Sequence, residues 1–424
     1  MGVWKRIGRA LSAAIITAVC CAWIAGPADA NTYLPPRGKV FAGLTGGTSI
    51  VPWESLTGHH PPVFDRYAVW NAGTAWMAHP GSGSLTRSAV HLSTAVGHFK
   101  PAVISTEAIA LGHSDRFLVA MNQNIAHSGR IVYIRIMGEM NGYWNAYCPY
   151  NRDGSSRGRQ YSAHFYIEAW RRTVLILRGG PVATIDHKLR ALGLPRITAP
   201  VAKNTVLPRP KVTFTWTPQT QGDPNIRGNQ PSDFWPGSQY VDWVGTDFYS
   251  GDNFSLLNRF YKKFSRKPFE FGEWGVIGSD DPAFVKAMFS WVRTHPRVRM
   301  FNYYQGYGST DPSNLARYPK SRAVLTRELT SAKFPQYAPE YATPTITITS
   351  PKNGVRYARR SRILAAYTCT EGNRTRPILK CTGSVPKGKA INTSTLGKHS
   401  FTVTATDTRG NTTSKTVHYT VIRS

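Results

Sequence analysis

Eight short apolar segments alternate with helical patterns over residues 39–330, and this alternation most constrains the fold of the 424-residue chain. The strand candidates are Val40–Leu44, Tyr67–Trp70, Val90–Val96, Ile131–Ile136, Val212–Trp216, Val241–Phe248, Phe269–Glu273 and Arg299–Tyr304. Amphipathic patterns predict helices between several of them, at Arg116–Ala126, Ser162–Arg178 and Asp281–Thr294. Eight strands alternating with helices predict an α/β fold, a (β/α)8 TIM barrel. An open doubly wound sheet is the alternative, but no glycine-rich phosphate loop follows the first strand.

The composition changes after the predicted barrel. Residues 333–344 are rich in Pro, Tyr and Ala and are interpreted as a linker. From Thr345 onward, Thr, Val and Ile alternate with polar residues, which predicts a small all-β sandwich of about 80 residues. We therefore divide the chain into a signal peptide (1–30), a barrel domain (31–332), a linker (333–344) and a sandwich domain (345–424).

The N-terminus decides the compartment. Lys5, Arg6 and Arg9 precede an apolar stretch from Ala10 to Ala25, and small residues lead to Ala30. This pattern predicts a secretory signal peptide cleaved after Ala30. An uncleaved membrane anchor is the alternative, but the apolar stretch is short for a span. We expect a secreted, extracellular and monomeric protein that has no membrane association after cleavage.

The chain is strongly basic, with 52 Lys and Arg against 23 Asp and Glu, a net charge of +29. Loss of three cations and one acid with the signal peptide leaves 29 − (3 − 1) = +27. Secretion argues against nucleic acid as the partner and favours anionic wall polymers or acidic polysaccharides. Residues 345–424 carry 14 Lys and Arg against two acids, a net of +12. This domain either holds the protein to an anionic cell-wall polymer or acts as a spacer.

Three cysteines remain after cleavage: Cys148, Cys369 and Cys381. Secretion permits disulfides, and Cys369 and Cys381 lie 12 residues apart in the strand-rich tail. We predict that these two form a disulfide and that Cys148 is free. No Cys/His cluster has the spacing of metal ligands, so we expect neither metal nor cofactor.

Two of the scarce carboxylates lie at predicted strand ends. Glu139 follows the fourth strand and Glu273 ends the seventh, and barrel enzymes place catalytic groups at the carboxyl ends of strands. Two carboxyls facing each other across a barrel mouth are what glycoside hydrolysis requires. The alternative is that each is a solvated loop residue, but Trp144 and Trp274 lie nearby, and aromatic faces stack on sugar rings.

Glu270 competes with Glu273 for the catalytic position. Side chains alternate along a strand, so residues 269, 271 and 273 should share one face and 270 should take the other. We therefore expect Glu273 to point into the barrel mouth and Glu270 toward the helix layer.

Three segments resemble motifs of glycoside hydrolase family 26: Arg135–Trp144, Tyr240–Tyr249 and Lys267–Gly275. That family contains endo-β-1,4-mannanases and related retaining β-glycanases on a (β/α)8 barrel, and the resemblance runs through roughly residues 39–330. The tail is similar to immunoglobulin-like modules of secreted bacterial proteins, in the segments around Cys369, Cys381 and Gly410.

The resemblance implies roles for individual residues. Glu139 would be the acid/base and Glu273 the nucleophile, with Tyr249 hydrogen-bonded to that nucleophile. Arg135 would support the acid/base strand, and Trp144 would stack near the scissile bond. The further substrate-binding candidates are Asn141, Trp216, Trp274 and Tyr304.

Two departures from the family pattern leave the substrate open. Better-known members carry a His just before the acid/base, where this chain has Gly138. They also carry a Trp at the end of the eighth strand, where this chain has Tyr303, Tyr304 and Gln305. Both departures leave mannan specificity open.

The expected function is a secreted retaining endo-β-glycanase acting on a polysaccharide, with β-1,4-mannan as the leading substrate. One alternative is a non-catalytic polysaccharide- or wall-binding protein on a glycosidase-derived barrel. Another is a lyase for acidic polysaccharides, which the charge would suit, but the sequence offers no constellation for its base.

Overall fold

The computed structural model describes residues 33–74, 85–341, 343–370, 378–408 and 411–423. The predicted signal peptide lies outside these residues. Within them, no helix is both long and apolar enough to cross a membrane.

Eight parallel strands form the barrel: β1 (Phe41–Thr45), β2 (Val63–Val69), β3 (Arg87–Ser93), β4 (Val132–Ile136), β7 (Val212–Trp216), β8 (Trp243–Tyr249), β9 (Phe269–Gly275) and β10 (Val298–Tyr304). The sheet closes because β1 pairs with both β2 and β10. Two short strands, β5 (Gly180–Pro181) and β6 (Val206–Leu207), pair with each other outside the barrel. The predicted barrel is confirmed, and a closed sheet excludes the open doubly wound alternative.

Helices connect the strands: α1 (Val51–Thr57), α2 (Thr106–Ala110), α3 (Asp115–Ser128), α4 (Ala163–Arg178), α5 (Val182–Ala191), α6 (Phe254–Lys263), α7 (Pro282–Thr294) and α8 (Pro319–Leu329). The longest, α4, shows why its sequence is helical. The Ser162 hydroxyl accepts a hydrogen bond from the Phe165 N–H and caps the first turn. Its apolar side chains Trp170 and Val174 are fully buried, and the helix ends at Gly179, whose φ of 71° favours glycine.

A β-bulge in β9 makes the predicted strand parity wrong. Phe271 pairs with Phe301 of β10, but the next pair along is Trp274 with Tyr303, so β9 carries one extra residue there. Before the bulge, Phe269 and Phe271 pack on Trp291 of α7, in the helix layer.

Glu270 therefore faces the barrel interior. It hydrogen-bonds Thr215 of β7, a strand that is not its neighbour in the sheet. Glu273 lies after the bulge and also faces inward, so both carboxyls share the interior, with Glu270 deeper and Glu273 at the mouth.

The segment that follows α8 packs against the amino-terminal ends of the barrel strands. Ala338 joins a buried cluster with Phe41, Tyr133 and Trp243. The Glu340 carboxylate accepts two hydrogen bonds from Arg87, at 2.6 and 2.8 Å. Part of the stretch interpreted as a linker is thus bound to the barrel, at the end opposite the predicted site.

The C-terminal region forms two sheets around its own core. One contains β11 (Thr345–Ser350) and β13 (Ala366–Thr370), and the other contains β12 (Arg356–Ala358), β14 (Ile378–Gly383), β15 (Gly397–Asp407) and β16 (Thr412–Ile422). The shared core includes Tyr367, Phe401 and Val417. The predicted disulfide between Cys369 and Cys381 is present and joins the two sheets, while Cys148 is free and buried.

Replacing Cys369 and Cys381 together by Ala should lower the free energy of unfolding of the C-terminal domain by about 2–4 kcal/mol, because the bridge restricts its unfolded chain. Calorimetry should show this domain's transition shifted and the barrel's transition unchanged. Cys148→Ala is the matched control, since this buried thiol lies in the barrel and should affect only the barrel transition. A bridge from Cys148 to either tail cysteine, found by mass spectrometry of the unreduced protein, would contradict this assignment.

Candidate active site

The chain turns sharply where β4 ends and places Glu139 at the barrel mouth. Met137 and Glu139 have φ of 45° and 52°, a left-handed conformation that costs energy for residues other than glycine. Hydrogen bonds hold the turn: the Gly138 N–H donates to His91 Nε2 at 3.1 Å, and the Glu139 N–H donates to the Thr217 carbonyl at 2.7 Å. These two hydrogen bonds hold the backbone of the turn, and the turn directs the Glu139 side chain toward the cleft.

Gly138 allows the backbone to approach Arg135 closely. A Cβ at position 138 would lie 2.4 Å from Arg135 Nε and 2.7 Å from Nη2, far inside contact distance. Contact with Arg135 therefore explains why this chain has Gly at position 138, where better-known family 26 members carry His. Any side chain there would displace the buried guanidinium.

The Glu139 carboxyl is held by uncharged donors. Its Oε2 accepts a 2.7 Å hydrogen bond from the Trp144 indole N–H, and its Oε1 accepts one from the Gln219 amide. Asn141 orients Gln219, because its Oδ1 accepts the Gln219 backbone N–H at 2.8 Å. His98 Nε2 lies 3.8 Å from Oε2.

Charged and hydroxyl donors surround the Glu273 carboxylate. Oε1 accepts hydrogen bonds from Tyr67 at 2.5 Å and from Arg135 Nη1 at 2.6 Å, and Oε2 accepts one from Tyr249 at 2.6 Å. Its backbone N–H donates to Asp247 at 2.9 Å. Burial alone would raise the pKa of Glu273, but Arg135 and the two tyrosine hydroxyls hold that pKa below its ordinary value.

His91 lies between the two carboxyls and is neutral. Burial, together with the Arg135 charge, lowers the pKa of His91 well below its ordinary value. Because its Nε2 accepts the Gly138 N–H, its hydrogen lies on Nδ1, 3.9 Å from Glu273 Oε1.

Both carboxyls open on one cleft of about 840 Å³ at the carboxyl ends of the strands. Trp144, Tyr304 and Tyr307 add aromatic surface to its wall. Asp252 and Asp311 add acidic groups, and none of the described residues lining it is Lys or Arg. Within the described part of the chain, no group of three or more His, Cys, Asp or Glu could hold a metal ion.

Two expected substrate-binding residues lie elsewhere. Trp216 is fully buried against Trp235 and Phe264 in the outer layer, because its position on β7 faces the helices. Trp274 follows Glu273 directly and so takes the opposite face of β9, packed on Phe301. The structure therefore brings neither of these two side chains to the cleft.

The other expected residues lie at or near the cleft. Tyr249, Trp144 and Tyr304 line it. Asn141 is buried behind Gln219 and acts through it. Arg135, expected to support the strand of Glu139, also bonds Glu273 and Asp247.

Sequence reasoning missed Tyr67, His91 and Gln219. Tyr67 pairs with His91, and His91 pairs with Arg135, so these three side chains form a row across β2, β3 and β4. The row depends on the register between the strands, and the sequence pattern alone does not show that register. Gln219 comes from the loop after β7, which had no motif to single it out.

Fold and site together define a (β/α)8 barrel protein with a carboxyl pair at the carboxyl ends of β4 and β9. No protein-family model matches the sequence, and no curated protein matches it. Solved structures do. A family 26 protein from Muricauda sp. MAR_2010_75 matches with a TM-score of 0.45 and 17% identity, over 70% of this chain and 91% of that one.

Two further structures are similar. A double mutant of an endo-β-1,4-mannanase from Cellulomonas fimi has a TM-score of 0.42 and 17% identity, over 90% of this chain and 94% of that one. A family 26 β-mannanase from Bacteroides ovatus has a TM-score of 0.45 and 15% identity, over 70% and 90%. These structures are from the family that the sequence motifs resemble.

Two more carboxyls lie in the barrel below the site. Burial raises the pKa of Asp65 to about 8; Arg135 opposes the shift, while Glu273 and Glu270 add to it. Burial likewise raises the pKa of Glu270 to about 7, against a hydrogen bond from Thr215. Between pH 4 and 8, folded Asp65 therefore keeps a proton that the unfolded chain releases, so the folded state loses stability as the pH rises.

Asp65→Asn should flatten this pH dependence, because the amide cannot titrate. The wild-type free energy of unfolding should fall between pH 5 and pH 8, with Asp65 contributing at most about 1.4 kcal/mol per pH unit, and the variant should lose that contribution. Urea unfolding at several pH values measures it. Asp153→Asn, on an exposed turn, is the control and should keep the wild-type slope. Equal slopes for wild type and Asp65→Asn would show that Asp65 is ionised in the fold.

Proposed function

We propose that this chain is a secreted retaining endo-β-glycanase that hydrolyses a neutral polysaccharide of the β-1,4-mannan class. The observation that carries the proposal is the pair Glu139 and Glu273. Both are buried, both open on one cleft, and their surroundings differ in charge. Glycoside hydrolysis needs two such carboxyls at one cleft, one as the acid and one as the nucleophile.

Glu273 suits the nucleophile. One cation and two hydroxyls hold its carboxylate ionised and fixed in place. In the first step a carboxylate oxygen of Glu273 attacks the anomeric carbon and forms a glycosyl ester as the bond to the leaving oxygen breaks. The same donors then stabilise the carboxylate when it leaves in the second step.

Glu139 suits the acid/base. Its hydrogen-bond donors are an indole and an amide, so no direct ion pair with Arg or Lys fixes it in the ionised form. It donates its proton to the leaving oxygen in the first step and takes a proton from the attacking water in the second. The water oxygen bonds to the anomeric carbon, which regenerates both carboxyls and retains the configuration.

The cleft favours an uncharged substrate. Its described lining contains four carboxyls, at Glu139, Glu273, Asp252 and Asp311, without Lys or Arg among them. An acidic polysaccharide would find no Lys or Arg among these lining residues to pair with its charges, which disfavours the lyase alternative. Trp144 and Tyr304 offer aromatic surface to the sugar rings, and the N-terminal pattern supports secretion.

A binding protein without catalysis is the second candidate, and hydrolysis separates the two. The test is a screen of the mature protein against β-mannans, mixed-linkage glucans and xylans. Products of reduced chain length from β-mannan support the proposal, and NMR of the first-formed anomer reads its retaining stereochemistry. Binding of a glycan without any hydrolysis would instead support the second candidate.

Glu273→Ala should lower kcat on β-mannan at least about 10⁴-fold, because no group can then form the glycosyl ester. Added azide should restore part of the rate with an activated aryl glycoside by attacking from the opened face. Glu139→Ala should lose about a thousandfold on the polysaccharide but little on substrates whose leaving groups need no proton. Glu107→Ala, on α2 outside the cleft, is the control. Near-normal turnover of both catalytic variants would refute the assignment.

Gly138→Ala should lower kcat/KM about 100-fold or more, because the new Cβ displaces the guanidinium that holds Glu273. The matched control is Gly73→Ala, where a Cβ meets nothing within 4 Å and φ is not positive. Circular dichroism checks that both variants fold. Wild-type kinetics for Gly138→Ala would mean that Arg135 does not act through its present position.

A further inference from the structure

The described surface of the C-terminal domain carries positive charge without exposed negative charge. Its described cations are all exposed: Lys352, Arg356, Arg359, Arg360, Arg362, Lys380, Lys387, Lys389, Lys398, Lys415 and Arg423. The one acid among the described residues of this domain, Asp407, is fully buried and accepts hydrogen bonds from Asn411. The cations therefore have no carboxylate partners on the described part of their own domain.

Four of these cations cluster at one end of the four-stranded sheet. Arg356 of β12 and Lys398 of β15 both pair with Thr420 of β16, so the three side chains project from the same face. Arg359 and Arg423 follow the last residues of β12 and β16, where the Arg359 backbone N–H donates to the Ile422 carbonyl. Because side chains alternate along a strand, these two belong to the rim at that end of the sheet and not to the face of Arg356 and Lys398. We call Arg356, Arg359, Lys398 and Arg423 the basic strip. Two strand spacings separate Arg356 from Lys398, about 10 Å.

The same face continues as a row of hydroxyl groups. Exposed side chains pair across β15 and β16 by hydrogen bonds, Thr402 with Thr416, Thr404 with Ser414 and Thr406 with Thr412. Lys380 of β14 lies opposite Thr406 at the far end. Thr406 lies eight positions after Lys398 on β15, so the face is about 27 Å long.

The described Tyr and Phe rings of the domain do not serve this face. Tyr367, Phe401 and Tyr419 are buried in its core, and Tyr357 packs against them. This face exposes the imidazole of His418 but no described Tyr, Phe or Trp ring, so stacking on a large aromatic ring is not its means of binding sugars or unpaired bases. Charge and hydroxyl hydrogen bonds are the chemistry that it offers.

We propose that the basic strip and its hydroxyl row bind an anionic polysaccharide, one that carries repeated carboxylate or phosphodiester groups along a chain of sugar or polyol units. Cations spread over this face and over the rim at its end suit a long polymer rather than a single small anion, and threonine hydroxyls suit its uncharged hydroxyl groups. This inference concerns a different surface from the cleft and does not depend on the proposed hydrolysis.

The test uses the mature full-length chain in affinity electrophoresis and co-sedimentation with polygalacturonate, a glycerol-phosphate polymer, β-mannan and duplex DNA. Wild type should bind polygalacturonate or the glycerol-phosphate polymer at 0.05 M salt and release it near 1 M, where screening is nearly complete at about 3 Å. The stronger of the two ligands identifies carboxylate or phosphodiester as the anionic group.

A strip variant, R356Q/R359Q/K398Q/R423Q, should bind about tenfold more weakly at low salt. The control, R190Q/K203Q/K262Q/R266Q, removes four exposed cations from the barrel domain and should stay within about twofold of wild type, as the total charge is the same. R356Q/K398Q keeps the Arg359 contact with the Ser394 carbonyl and should show an intermediate loss even if the fourfold variant unfolds.

Equal losses for the strip and control variants would overturn the proposal, as would binding that persists at 1 M salt. Absence of binding to both anionic polymers, or tighter binding to duplex DNA, would overturn it too. Hydrolysis of β-mannan is measured separately and should be the same in the strip variant and wild type. A wild type that binds the anionic polymer but hydrolyses nothing would refute the proposed function and leave this inference intact.

Discussion

The buried guanidinium of Arg135 is the interaction on which the candidate site depends. It extends from β4 and donates to Thr217 after β7, to Asp247 of β8 and to Glu273 of β9, so one side chain joins four strands at the barrel mouth. Removing a cation from water is costly, and here two carboxylates offset that cost. The arrangement is mutual, because without Arg135 those two buried carboxyls would lose the cation that they share. The planar, forked shape of arginine serves this arrangement, and a lysine could not donate in three directions at fixed angles.

The same guanidinium explains the backbone that carries Glu139. It occupies the space beside position 138, which leaves room for glycine alone, and the left-handed residues on either side of that glycine turn the chain into the cleft. Strain at this turn is held by the bonds to His91 and Thr217. The proposed acid/base and the proposed nucleophile are therefore coupled through one side chain. A change at Arg135 would alter the ionisation of Glu273 and the position of Glu139 together. The His that better-known family 26 members carry at position 138 therefore could not be introduced here without moving Arg135.

The sequence was sufficient for the fold and for the carboxyl pair, but not for the residues around it. Apolar alternation and helical periodicity depend on local chemistry, so α4 and α7 begin and end within one residue of their predicted positions. Glu139 and Glu273 were found because strand ends carry function in barrels. The orientation of Glu270 was missed because a bulge changes strand parity, and parity cannot be counted through an extra residue that the sequence does not mark. Tyr67 and His91 were missed because their row depends on strand register, which is set by pairing between distant parts of the chain.

Charge is divided between the two functional surfaces, and the division has a physical consequence. The cleft contains carboxyls and no described Lys or Arg among its lining residues, whereas the described surface of the C-terminal domain carries cations without exposed acids. Under the two proposals above, a polyanion bound by the tail would find no cations among the described lining residues of the cleft, so it would not compete there with a neutral substrate. Salt also acts differently on the two surfaces. It weakens the attraction between the exposed strip and a polyanion, but it screens the buried ion pairs around Arg135 very little. The proposed retention on an anionic polymer and the proposed cleavage of a neutral one are therefore compatible on one molecule, because salt would weaken the first and leave the second unchanged.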